Sequence, residues 1–112
     1  MQLSVNALAY LQIKDSRIID NDRAIYSLLA RLSIENSDIK RNINTVKPIG
    51  TNINVTGAGI VADNSVVILE NVNIEDNVSL SVGAGISAIQ SAIKINNSLI
   101  SNNSAMDNAA AN

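Results

Sequence analysis

Four stretches of the chain alternate hydrophobic and polar residues in one shared pattern. They are LQIKDSRIIDN, LSIENSDIKRN, VILENVNIEDN and IKINNSLISNN, which end at positions 21, 42, 77 and 103 and are called copies 1 to 4 below. Each has apolar residues at its first and third positions, Asp or Asn at the fifth, Ile at the eighth and Asn at the eleventh. Apolar residues two apart, with polar residues between them, predict a strand with one buried face. A helix is disfavoured, because Asn and Ser compete for its backbone hydrogen bonds.

The spacing of the copies indicates an architecture of stacked turns. Their end positions are 21, 35 and 26 residues apart, which is the size of one turn of a solenoid and too irregular for a coiled coil. Three copies also match further upstream, at Ile25, Ile60 and Ile86. We therefore predict an all-β solenoid of about four rungs that forms a single domain over residues 1–112.

Stacking would align each position of the pattern into a column along the solenoid, with neighbouring strands about 4.8 Å apart. Asp or Asn at the fifth position suits a bend, because both tolerate left-handed backbone, and Asn at the eleventh suits a turn. We expect the amides at the bend to bond along the axis, with Asn71 beneath Asn97. The columns are the isoleucine column (Ile18, Ile39, Ile74, Ile100), the asparagine column (Asn21, Asn42, Asn77, Asn103) and the bend column (Asp15, Asn36, Asn71, Asn97).

Most charged residues would meet an opposite charge if the copies stack in register. Such cross-strand pairs contribute about 0.2–1 kcal/mol each. The expected neighbours are Lys14 with Glu35, Arg17 with Asp38, Lys40 with Glu75, and Arg41 with Asp20 and Asp76, whereas Glu35 and Glu70 place like charges together. We therefore interpret the acidic residues as a charge-paired, solvated face rather than a calcium or catalytic site.

Composition narrows the function further. The chain has no Phe, no Trp and two Tyr, so its core must come from small and aliphatic residues. A net charge of −2 gives no basic surface for nucleic acid. No apolar run is long enough for membrane insertion, and the first residues do not have the pattern of a signal peptide. Without His or Cys, imidazole and thiolate chemistry are excluded, so we expect no catalytic residues, no metal and no cofactor.

Residues 43–58 interrupt the repeat with about 14 additional residues, the difference between the 35- and 21-residue spacings. Insertions in solenoids emerge as loops on one face, and such loops often carry function. The GAGI segments at 57–60 and 83–86 lack the residues that follow a phosphate-binding loop, so we interpret them as close turns before strands. The candidate interaction loop comprises Lys47, Pro48, Asn52, Asn54 and Thr56.

The first and last copies have no recognisable polar cap. Uncapped solenoid ends expose backbone donors, acceptors and apolar core, which favours pairing with another edge. We expect another chain or added residues to cover the edges near Leu11–Ile13 and Ile93–Ile95. The chain would then be part of a longer β-helix or would form a homo-oligomer by end-to-end stacking.

Two segments, GAGIVADNSVVILENVNIEDN and GAGISAIQSAIKINNSLISNNSA, resemble the repeats of autotransporter passengers and polymorphic outer-membrane proteins. The family's Phe-x-x-Asn segment is matched here by IIDN, IKRN, IEDN and ISNN, with Ile in the aromatic position. The resemblance covers roughly residues 7 to 105. It implies a right-handed parallel β-helix at the cell surface or outside the cell.

This resemblance suggests a non-catalytic structural or adhesive module that stacks on further rungs or on copies of itself, with carbohydrate or a host surface as candidate partners. Lyases and tailspikes use the same rung pattern, so the fold alone does not decide function. A carbohydrate-binding or carbohydrate-processing β-helix fragment is the alternative, and it requires a carboxylate cluster on one open face.

Overall fold

A computed structural model describes residues 2–6, 9–45, 57–80 and 83–105. These residues form strands joined by bends, and they contain no helix. The strands are β1 (Leu3–Asn6), β2 (Tyr10–Lys14), β3 (Arg17–Ile19), β4 (Ile25–Leu28), β5 (Arg31–Lys40), β6 (Ile43–Asn44), β7 (Ile60–Asp63), β8 (Val66–Glu75), β9 (Val78–Ser79), β10 (Ile86–Ile89), β11 (Ala92–Asn96), β12 (Leu99–Ser101) and β13 (Ser104–Ala105).

The strands form three sheets in which the described pairings are parallel. Sheet A has the order β1-β4-β7-β10, and sheet C has the order β13-β9-β6. In sheet B the order is β11-β8-β5-β2, with β3 beside β5 and β12 beside β8. Each described strand therefore pairs with the equivalent strand of the copy before or after it, and the prediction of an all-β fold with parallel strands is confirmed.

The predicted strand–bend–strand pattern applies to copies 1 and 4 but differs in the two middle copies. Copies 1 and 4 each contain two short strands, whereas β5 and β8 run ten residues through Asn36 and Asn71. Both asparagines nevertheless have positive φ, and the pairing of β5 with β8 omits this position. The bend is retained within one strand because β5 and β8 have paired neighbours on both sides.

The turn expected at the last Asn of each copy lies one residue earlier. The residues with left-handed backbone are Asp20, Arg41, Asp76 and Asn102, with φ of 60°, 53°, 57° and 54°. The asparagines that follow them point inward, and those of copies 2 to 4 are buried. The preceding residue adopts the left-handed conformation, and the Asn side chain is thereby free to bond inside the molecule.

The hydrophobic core lies between the sheets and is densest in the middle copies. Burial alternates along β5 and β8, as expected for strands with one inward face. Leu32, Ile34, Val67 and Leu69 are at most 1% exposed. From sheet A, Ile60 pairs with both Ile25 and Ile86, which extends the upstream match seen in the sequence.

The insertion predicted over residues 43–58 is too long at both ends. Ile43 and Asn44 form β6, which pairs with Val78 and Ser79 of β9. At the other end, Gly57 and Ala58 are buried, and the Ala58 carbonyl accepts a hydrogen bond from Ala24 N–H at 2.8 Å. These four residues belong to the packed part of the protein because their neighbours in adjacent copies hold their backbone.

Candidate functional site: the asparagine column and the end strands

The asparagine column forms a chain of hydrogen bonds through the described copies. The side-chain amide of Asn77 donates to Asn103 Oδ1 at 2.9 Å and to the Ile39 carbonyl at 3.1 Å. Asn42 repeats this arrangement, donating to Asn77 Oδ1 at 2.9 Å and to the Ile18 carbonyl at 3.1 Å. Each amide therefore links the preceding copy to the following copy.

Backbone groups bond in the same direction along this column. The backbone N–H groups of Asn21, Asn42 and Asn77 each donate to the Oδ1 of the next asparagine at 3.0 Å. Asn42, Asn77 and Asn103 are 0%, 0% and 6% exposed. A buried amide is costly unless it is hydrogen-bonded, so these residues constrain the copies to one register.

The isoleucine column packs beside the asparagine column. The structure pairs Ile18 with Ile39, Ile39 with Ile74, and Ile74 with Ile100. Ile39 and Ile74 are 0% exposed, while Ile18 and Ile100 are partly buried. The apolar column therefore reaches full burial only where another copy lies on both sides.

The bend column adopts left-handed backbone at Asp15, Asn36, Asn71 and Asn97, with φ of 51°, 50°, 55° and 49°. Asn71 is exposed and donates to Asn36 Oδ1 at 2.8 Å. The prediction that Asn97 bonds to Asn71 is wrong, because Asn97 donates to Glu70 Oε1 at 2.9 Å instead. The ionised carboxylate of Glu70, which lies beside Glu35 in the sheet, accepts a stronger hydrogen bond than an amide oxygen does.

Serines at the bends are a second set of interlocking residues, which the sequence analysis missed. Ser37 Oγ accepts the Ser16 N–H at 3.1 Å and donates to its own strand at the Glu35 carbonyl. Ser98 Oγ likewise accepts the Val72 N–H at 3.0 Å and donates to the Asn96 carbonyl of its own copy. The available signal was Ser directly after an Asp, Asn or Gln, as in 15–16, 36–37, 64–65, 90–91 and 97–98.

Opposite charges meet between copies at three of the expected places. Lys40 Nζ lies 2.7 Å from Glu75 Oε2, Arg41 Nε lies 3.1 Å from Asp20 Oδ1, and Lys14 Nζ lies 3.7 Å from Glu35 Oε2. The hydrogen bond from Lys40 lowers the pKa of Glu75, and the same bond raises the pKa of Lys40.

Asp38, the residue expected to pair with Arg17, interacts with other side chains. Arg17 and Asp38 share a register position, but the Asp38 carboxylate accepts a hydrogen bond from Asn73 at 3.0 Å and lies 3.9 Å from Lys40 Nζ. A cation on the same strand as Asp38 thus replaces the predicted cross-strand partner.

One cavity lies beside copy 4 and another lies beside copy 1. The cavity beside copy 4 has a volume of about 490 Å³ and is lined mainly by Ile86, Ile93, Ile95 and Ile100. The cavity beside copy 1 has a volume of about 300 Å³ and is lined by Leu3, Ile18, Ile19 and Ala24 together with the polar residues Arg17 and Asn21. Among the described strands, those at Leu11–Ile13 and Ile93–Ile95 have a paired neighbour on one side only. In the described part of the chain, both ends therefore present core residues and strand edges together.

The described residues contain no group of three or more His, Cys, Asp or Glu residues placed to hold a metal ion. Nor do these ranges include a helix with the length and hydrophobicity needed to cross a membrane. The candidate interaction loop, at Lys47, Pro48, Asn52, Asn54 and Thr56, lies outside the described residues.

Comparison with known proteins identifies no relative. No family model, no curated protein and no solved structure matches the chain.

Proposed function

We propose that the three parallel sheets are the faces of a right-handed parallel β-helix of about four rungs. In this arrangement β1–β3, β4–β6, β7–β9 and β10–β13 each form one rung. The register supports the proposal, because paired residues in sheet B are 21, 35 and 26 residues apart, as in the alignment of the copies. The right-handed sense of this β-helix is inferred from the resemblance to surface-protein repeats.

The proposed function is that of a non-catalytic structural or adhesive module in a surface or fibrous protein. The observation that carries it is the use of the recurring polar residues in bonds between copies, as in the asparagine column. Residues repeated for catalysis or ligand binding would instead leave their polar atoms facing an open site. In this proposal the repeated residues serve to hold neighbouring copies together. Contact with a partner is made by the outer faces and the candidate interaction loop.

The experiment that tests this function combines sizing with a search for activity. Purified chain would be studied by sedimentation velocity and negative-stain electron microscopy over a range of concentrations, and incubated with acidic and neutral polysaccharides. We expect ordered association that grows with concentration and no polysaccharide cleavage. A stable monomer that shortens a polysaccharide would contradict the proposal and favour the carbohydrate-processing alternative.

A further inference from the structure

The hydrogen bonds of the asparagine column run in one direction, which makes its two ends chemically different. At each internal junction, one asparagine donates from its backbone and its side chain to the Oδ1 of the next. At the copy 4 end, the one described acceptor of the Asn103 side-chain amide is the Ile74 carbonyl, at 3.0 Å. Within the described part of the chain, its second side-chain N–H and its backbone N–H have no acceptor.

The copy 1 end has the opposite deficiency. Asn21 donates to Asn42 Oδ1 from its backbone at 3.0 Å and from its side chain at 3.2 Å. Its own Oδ1 accepts no hydrogen bond from any described residue, although Oδ1 of Asn42, Asn77 and Asn103 each accepts two. One end of the column therefore presents donors and the other end presents an acceptor.

We propose that the donor end of one molecule docks on the acceptor end of a second copy, head to tail, with Asn103 bonded to Asn21 of the next molecule. This inference rests on the proposed function and names its partner. Three bonds would reproduce an internal junction: Asn103 N–H and Nδ2 to Asn21 Oδ1, and Asn21 Nδ2 to the Ile100 carbonyl. Such a contact is heterologous, so it repeats without closing and builds a filament.

The serines give a second match in the same register. Ser98 N–H has no acceptor among the described residues, whereas Ser16 N–H donates to Ser37 Oγ. Ser16 Oγ donates to the Lys14 carbonyl and retains free acceptor capacity. Ser16 lies five residues before Asn21, and Ser98 lies five residues before Asn103. A stack that joins the asparagines therefore also brings Ser98 N–H to Ser16 Oγ.

The strand edges and apolar surfaces at the two ends also correspond. β2 and β11 each have five residues, β3 and β12 three, and β1 and β10 four. Ile95, which is 44% exposed, would lie against Ile13. The two cavities would face each other, and burial of their apolar residues supplies the attraction that the polar bonds orient.

No like charges would lie directly opposite each other in this register. The outward positions of copy 4 that would lie against Lys14, Arg17 and Asp20 are Asn96, Leu99 and Asn102, none of which is charged, and Lys94 would lie opposite Gln12. Head-to-head docking would instead place two acceptor ends together and leave their polar atoms unpaired, which is costly. Polarity along the asparagine column therefore selects head-to-tail contact.

Three single substitutions that each add one negative charge test the contact. Asn103→Asp keeps the acceptor for Asn77 but replaces Nδ2, which bonds the Ile74 carbonyl and would offer its second N–H to Asn21, with an oxygen that faces Asn21 Oδ1. Asn21→Asp keeps an acceptor for Asn103. Asn36→Asp is the control, because it lies in a middle copy, keeps the acceptor for Asn71, and has Asp15 as a precedent in its column.

Association would be measured by sedimentation velocity, with melting curves confirming that each variant is folded. We expect Asn103→Asp to weaken association about tenfold or more, Asn36→Asp to leave it unchanged, and Asn21→Asp to have a smaller effect than Asn103→Asp. Asn103→Asp mixed with wild type should also shorten the filaments, since it joins through its intact copy 1 end and then stops growth.

Ser16→Ala provides a second variant should Asn103→Asp fail to fold, because the one bond that Ser16 Oγ donates within the described residues is to the Lys14 carbonyl. We expect it to weaken association by about threefold. If wild type assembles while Asn103→Asp and Ser16→Ala both assemble like Asn36→Asp, the proposed contact between Asn103 and Asn21 is wrong. The proposed structural function is unaffected by that result. A wild-type chain that stays monomeric at every concentration also overturns the contact, and the polysaccharide assay then decides the proposed function separately.

Discussion

The middle copies and the end copies share one sequence pattern but differ in how fully they bury it. Ile39 and Ile74 are 0% exposed, whereas the matching Ile18 and Ile100 are only partly buried, and Ile95 is 44% exposed. The difference arises because β5 and β8 have neighbours on both sides, while β2 and β11 have one among the described strands. Burial is thus a property of the stack rather than of the pattern in any single copy.

Hydrogen bonding shows the same contrast. The Asn77 side chain takes part in four bonds, two donated and two accepted, whereas that of Asn21 takes part in one with the described residues. A middle copy therefore stabilises the copies on both sides of it. Substitutions at matching positions of middle and end copies should separate these contributions.

The largest expected effect comes from a charge in the isoleucine column. Ile74→Asp places a carboxylate between Ile39 and Ile100 at a fully buried position, and should cost about 4 kcal/mol or more of unfolding free energy. Ile100→Asp should cost less, because water reaches its side chain. Urea unfolding of both variants measures the difference, and equal losses would contradict the contrast between middle and end.

Removal of a middle asparagine should have the next largest effect. Asn77→Ala leaves the Ile39 carbonyl and the Asn42 N–H without their partners in a buried site, at a cost of about 3 kcal/mol. Asn21→Ala removes one side-chain bond at a half-buried site and should cost about 1 kcal/mol. Chemical denaturation compares them, and a loss for Asn21→Ala as large as that for Asn77→Ala would refute the directional chain of bonds.

The glycines before sheet A allow a third comparison. A Cβ on Gly59 would lie 2.3 Å from the Gly85 carbonyl oxygen, so Gly59→Ala must displace the backbone of the next copy and should cost about 2 kcal/mol. A Cβ on Gly85 would first meet the Asn103 side chain at 3.0 Å. Gly85→Ala should therefore be better tolerated, as thermal melting would show; the reverse order would argue against close stacking at Gly59.

The smallest expected effect concerns the ion pair between the middle copies. Because Lys40 lowers the pKa of Glu75 below its ordinary value of 4.5, the pair stabilises the folded chain above that pH. The stabilisation is lost as pH falls through the lowered pKa. Glu75→Gln should thus reduce stability at pH 7 and have less effect in acid.

Glu35→Gln is the matched control for this ion pair. Its contact with Lys14 is longer, at 3.7 Å, and its side chain is 42% exposed, compared with 20% for Glu75. We expect this substitution to change stability less at pH 7. If unfolding measured across pH gave the same pH dependence for Glu75→Gln and Glu35→Gln, the stabilising role of the Lys40–Glu75 pair would be refuted.

Several features could be predicted from the sequence because they depend on repetition alone. Alternation of apolar residues identifies the inward faces of β5 and β8, and the copy spacing yields the pairing of Ile39 with Ile74. The charge pair of Lys40 with Glu75 follows from the same register. The limits of the insertion did not follow, since Ile43 and Asn44 become a strand only when β9 lies beside them.

The sequence by itself determined which residues of different copies meet, because a parallel stack with a buried face must place like positions over one another. Only the tertiary structure decided which partner each polar group uses: Asn97 bonds to Glu70 rather than Asn71, and Asp38 lies near Lys40 rather than Arg17. It also decided the direction of the asparagine column, from Asn21 to Asn103. The physical reason is that repetition specifies residue types at a position, whereas a hydrogen bond depends on the orientation of each donor and acceptor in space.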